Sequence, residues 1–90
     1  MSPLRQALVD YLAVRRALGY TLKRTEKLLA QFVAYLEDRG EPRVSTETAL
    51  AWATLPTSAH PSWLYGRLGV VRGFAAHVRT IDPATEIPPA

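Results

Sequence analysis

Apolar residues recur at helical spacing in four stretches of this chain, and no stretch alternates as a half-buried strand would. The clearest stretch covers residues 22–38. Leu22, Leu29, Phe32, Val33 and Leu36 line one face there, with Leu28 and Tyr35 on its shoulder. Thr21 is the expected N-cap and Gly40 the expected C-terminal stop, followed by the polar loop Gly40-Glu41-Pro42-Arg43. A first helix is predicted over residues 3–18, capped by Ser2, with Pro3 at its first position and Gly19 at its end. Its buried stripe is Leu4, Ala7, Leu8, Tyr11, Leu12 and Leu18. A short third helix over residues 46–54 has Ser45 or Thr46 as cap and Pro56 as stop, and Ala49, Leu50, Trp52 and Ala53 seat it. After the loop Pro56-Thr57-Ser58-Ala59-His60, a fourth helix runs over residues 61–80. Leu64, Leu68, Val71, Ala75 and Val78 form its core stripe, flanked by Phe74. Residues 82–90 hold three prolines and read as an extended segment.

Length and composition narrow what this pattern can build. Ninety residues make one small domain, and a hydrophobic content of 48% is enough for a packed core. The absence of cysteine excludes disulfides and thiolate metal sites, as fits a reducing cytoplasm. The N-terminus lacks the unbroken apolar core of a signal peptide, and no apolar run approaches the roughly 18 residues of a membrane span. The expectation is a cytoplasmic protein without a membrane partner.

The net charge is only +3, but the sequence pI is about 9.7 and nine of the eleven basic residues are arginine. Arginine favours bidentate contacts to phosphate. On the second helix Lys23, Arg24, Lys27 and Gln31 fall opposite the core stripe. Cations crowd the N-terminal half of that helix, and Glu37 and Asp38 lie near its C-terminal end, against the helix dipole. Glu26 and Arg39 offset part of this imbalance. Two readings stand: a solvated basic face, or cations placed for a partner. On the fourth helix Arg72 and Arg79 share one flank with Tyr65, and Arg67 lies on the other. The side away from the core collects Ser62, Gly66, Gly69 and Gly73. Helix-interior glycine is unfavourable, so these glycines imply close approach of either another helix or a DNA strand. Trp63 reads as a core or lid aromatic.

No catalytic chemistry is legible. The carboxylates form no spaced pair, His60 falls in a loop, and His77 is expected to project outward and be solvated. The glycines lie inside a helix and not in a phosphate-cradling loop, and Ser45, Ser58 and Ser62 read as caps or early helix residues. No metal site and no cofactor are expected.

The order of motifs resembles the opening of tyrosine recombinases of the phage-integrase type. The carrying residues are Asp10-Tyr11-Leu12, Leu18-Gly19-Tyr20-Thr21 and the Thr-x6-Phe-x3-Leu spacing of Thr25, Phe32 and Leu36. Arg67-Leu68-Gly69-Val70-Val71-Arg72-Gly73-Phe74-Ala75 is similar to the family's fourth helix, and residues 80–89 to its linker. The resemblance covers nearly the whole chain. It implies an all-α, four-helix SAM-like orthogonal bundle, a core-binding domain over residues 1–81. A Pro-rich linker over residues 82–90 would lead to a catalytic domain that the chain lacks. It also implies half of a clamp around double-stranded DNA, with the second and fourth helices facing the major groove. The DNA-binding candidates are then Lys23, Arg24, Lys27, Gln31, Arg67, Arg72 and Arg79, with Arg43 a loop contact to phosphate. Lys27, Gln31 and Arg72 are the expected base readers. The family's tyrosine nucleophile lies in the later domain, and Tyr11, Tyr20, Tyr35 and Tyr65 match no catalytic position. This chain is accordingly expected not to be an enzyme.

The expected partners are duplex DNA, the parent's catalytic domain and other recombinase subunits on DNA. A rival reading is a protein-interaction bundle that docks a helix on the glycine face and Trp63. A third, a helix-turn-helix regulator, suffers from the long loop before the fourth helix.

Overall fold

A computed structural model of the protein describes residues 2–55 and 61–89, and there it forms α1 (Pro3–Ala17), α2 (Lys23–Asp38), α3 (Thr46–Ala53) and α4 (Pro61–Arg79), with no strand. The expected Pro56 stop and the loop with Ser58 and His60 lie outside the described residues.

Local sequence explains the helix ends. The Ser2 hydroxyl accepts the Arg5 amide at the start of α1. Ser45 opens α3 with a reciprocal capping box to Thr48. Gly19 and Gly40 adopt positive φ values of 90° and 68°. At each, the next residue's amide reaches back across the turn: Tyr20 N donates to Arg15 O, and Glu41 N to Leu36 O. This is the six-to-one bond of a Schellman stop, where glycine avoids a Cβ clash.

Two terminal expectations fail. Thr21 does not cap α2; Leu22 takes the N-cap position without a side-chain hydrogen bond and buries its own side chain in the core. Leu18 lies past the end of α1 and is 69% exposed, because the chain turns away one residue before the helical stripe would carry it inward.

Helices α2 and α4 each pack on the other three, whereas α1 and α3 do not touch. Leu29, Phe32, Val33 and Leu36 of α2 meet Val71, Phe74 and Ala75 of α4 at the fully buried centre. Trp52 of α3 closes one side, its ring centroid 5.1 Å from that of Phe32. Tyr11 of α1 closes the other, edge-on to Phe74 at 5.8 Å. Leu50, expected to help seat α3, is instead exposed. Ion pairs join α1 to α2 in antiparallel order, Arg5 with Glu37 and Arg16 with Glu26.

The C-terminal segment is non-helical, as its prolines dictate, but it does not trail away from the body. Thr85 and Pro88 are buried and Ile87 packs on the core. Glu86 N donates to Val44 O at 3.0 Å, and the Glu86 carboxylate accepts the Thr46 amide at 2.8 Å. That bond satisfies one of the unpaired amides at the start of α3. The radius of gyration, 12.4 Å, is close to the about 12 Å expected for a compact domain of this length.

Candidate nucleic-acid interface

Each basic candidate either ends in the protein or is left facing solvent, and this divides the set. Lys23, Arg24, Lys27 and Gln31 are all exposed on α2. Among the described residues no carboxylate pairs with the three cations. The acid that could offset them, Glu26, is turned aside to Arg16 of α1. The N-terminal half of α2 therefore presents unneutralised positive charge where the helix dipole is also positive.

Beside this ridge lies a concavity of about 220 Å³ lined by Arg24, Lys27, Leu28, Gln31, Trp63 and Arg67. Trp63 is neither core nor sealed lid. It is 42% exposed, and its ring centroid lies 5.9 Å from the Arg24 guanidinium carbon.

Arg67 does not stand on the surface as its candidacy requires. It is 6% exposed, its guanidinium carbon lies 3.9 Å from the Trp52 ring centroid, and Nη2 donates to Trp52 O at 3.2 Å. Burial lowers its pKa from the ordinary arginine value. A charge so deep acts on the fold, holding the C-terminal turn of α3 against α4.

Arg72 is exposed, but its Nε donates to Pro88 O at 2.9 Å. Arg43 pairs with Asp82 at 3.0 Å. Both bonds tie down the C-terminal segment. Arg79 is exposed and has no partner among the described residues. By helical rotation of about 100° per residue, Arg72 and Arg79 lie on the flank of α4 opposite Trp63 and Gly66. The eight candidates thus do not form one surface.

The glycines of α4 separate in the same way. A Cβ at Gly66 would stand 3.0 Å from Arg24 Nη2, and one at Gly73 would stand 2.8 Å from the Tyr11 hydroxyl oxygen. Both glycines admit side chains of this same chain. Gly69 faces open space. His77, expected outside, is half-buried, with its ring centroid 5.4 Å from that of Tyr11.

Sequence reasoning passed over several stacked arginines. Arg15 lies 4.2 Å from the Tyr20 ring centroid, and Arg39 lies 4.3 Å from that of Tyr35. The spacing of Arg39 four residues after Tyr35 could have signalled its stack. The Arg15–Tyr20 stack depends on the Gly19 turn and has no helical spacing to announce it. Among the described residues there is no cluster of acidic or histidine side chains able to hold a metal ion. None of the described helices is long and apolar enough to cross a membrane.

No protein-family model and no solved structure matches the chain. A protein of Sinorhizobium fredii (strain NBRC 101917 / NGR234), described as "Putative integrase/recombinase y4rB", is 48% identical over 90 residues. That alignment covers 100% of this chain and 29% of the relative. The similarity thus runs over the full length of this chain, which spans less than a third of the relative's own length.

Proposed function

We propose that this chain is a duplex-DNA-binding module of a tyrosine-type recombinase or integrase, the core-binding half of a clamp whose catalytic residues belong to another domain. The observation that carries this reading is the unpaired cationic ridge Lys23-Arg24-Lys27 beside Gln31, on a chain similar throughout to an integrase/recombinase. Cations without a carboxylate partner among the described residues are free to replace the counterions of a phosphate backbone. Lys23 and Arg24 contact phosphates and set register, while Lys27 and Gln31, farther along the helix, reach toward base edges. On α4 the contacting side is the Trp63–Gly66 flank, and Arg67 supports the fold without touching DNA.

An isolated module binds duplex weakly, at about 10⁻⁴–10⁻⁶ M, and tightens when a second domain closes the clamp. Titration into labelled random-sequence duplex at two salt concentrations tests this, beside a Lys23→Ala/Arg24→Ala/Lys27→Ala variant. The expected result is binding that weakens with salt and falls in the variant. Salt-independent binding, or a variant that binds as well as the parent, would contradict it.

One observation favours the rival reading, a helical module for subunit assembly. Val9, Val14 and Leu18 are exposed apolar side chains of α1 and its C-cap. The rival's original support is reduced, because Gly66 and Gly73 already accommodate Arg24 and Tyr11. Self-association that rises with protein concentration, without salt-sensitive DNA binding, would favour it.

A further inference from the structure

We propose that Gly66 and Trp63 are positioning residues for Arg24, holding its guanidinium at the α2–α4 concavity as a preset contact for a phosphodiester of duplex DNA. The inference rests on the DNA-binding reading and deepens it.

The geometry is specific to this pair of helices. A Cβ at Gly66 would lie 3.0 Å from Arg24 Nη2, 3.6 Å from Nη1 and 3.8 Å from Cζ. The guanidinium therefore lies close against the α4 backbone, where a Cβ would crowd it by a few tenths of an ångström. The Trp63 ring, with its centroid 5.9 Å away, supplies an aromatic wall at the outer limit of a cation–π contact. No carboxylate pairs with the charge among the described residues, and Arg24 lines the concavity. A long side chain pays rotamer entropy when a ligand immobilises it, and one already held loses less on binding. Helix-interior glycine is intrinsically unfavourable, and at Gly66 its place is explained by the arginine that it admits.

Gly69, three residues along the same helix, is the matched control, because a Cβ there meets nothing within 4 Å. Both Gly→Ala changes gain helix propensity, but only the one at Gly66 crowds Arg24. The experiment compares affinity for labelled random-sequence duplex among the parent chain, Gly66→Ala, Gly69→Ala, Arg24→Ala and the double variant Gly66→Ala/Arg24→Ala. Urea midpoints report folding for each variant.

Gly66→Ala is expected to weaken binding about three- to tenfold, Gly69→Ala to leave it unchanged, and Gly66→Ala to add nothing once Arg24 is alanine. Trp63→Ala should weaken binding more than Trp63→Phe does. Parent-like binding by a folded Gly66→Ala while Arg24→Ala is weakened would overturn the positioning role alone. So would an undiminished Gly66→Ala effect in the Arg24→Ala background, or an equal loss in Gly69→Ala. A parent chain that binds no duplex overturns the DNA reading itself and this inference with it, a result distinct from the other three.

Discussion

The N-terminal half of α2 and the arginine-bearing surfaces of α4 are both basic in sequence, yet they use their charges differently. On α2, Lys23, Arg24 and Lys27 have no carboxylate partner among the described residues, because Glu26 is drawn off to Arg16. On α4, Arg67 is buried against Trp52 and Arg72 bonds Pro88 O; in the loop before α3, Arg43 pairs with Asp82. The cations of α2 are set against the helix dipole and weaken the fold slightly. Those around α4 hold α3 and the C-terminal segment in place. Counting charges finds both regions, but only the partners of each charge separate a ligand surface from a structural one.

The largest effect expected from this contrast is on folding. Arg67→Ala removes a charge-assisted bond to Trp52 O, the stack on Trp52 and the buried arginine stem. A loss of about 2–4 kcal/mol in urea unfolding is expected. An Arg67→Ala protein as stable as the parent but weakened for DNA would invert the comparison.

Next comes the α2 ridge, where Lys23→Ala/Lys27→Ala should weaken duplex binding. It should also flatten the dependence of log K on log salt by about 1 per cation removed. Its stability should hold or rise, since Lys23 in the first turn opposes the helix dipole by about 0.3–1 kcal/mol. Reduced stability with an unchanged salt slope would mean that these lysines are structural.

Arg72→Ala should cost about 1 kcal/mol through the lost bond to Pro88 O, with little change in DNA affinity. Amide exchange over residues 84–88 would report the loosened segment, and protection equal to the parent's would remove Arg72 from the structural group.

The smallest effect is a pH dependence. The Arg5 guanidinium, and after it the Ser2 hydroxyl, hold the Glu37 carboxyl below the ordinary glutamate range. A depressed folded value means that the stability it contributes is present above the unfolded value and is lost as pH falls through the folded one. Acid unfolding of Glu37→Gln should lack that component, and a curve superimposable on the parent's would refute it.

Much of the fold was legible because it is encoded locally. Ser2, Ser45, Gly19 and Gly40 act within a few residues of their own positions, and the stripes of α1, α2 and α4 follow the helical period. Leu18 failed because periodicity does not say which residue turns the chain. Thr21 failed because a nearby apolar residue, Leu22, gained more by burial at the cap position.

The candidate site was half legible. Helical rotation marks Lys23, Arg24, Lys27 and Gln31 as outward-facing, which needs no tertiary knowledge. The fate of Arg67 required knowing that Trp52, fifteen residues earlier, would lie beneath it. The bonds of Arg43 and Arg72 required knowing where a proline-rich segment without period would dock. Composition describes such a segment as extended and carries no information about what it packs on.

Backbone and side-chain NMR during titration with a short duplex tests the central claim most directly. The account predicts shifts concentrated at Lys23, Arg24, Lys27 and Gln31 and along the Trp63–Gly66 flank, with Arg43, Arg67 and Arg72 little changed. Shifts centred on Arg72, Arg79 and Arg43 that leave the α2 ridge unmoved would contradict it.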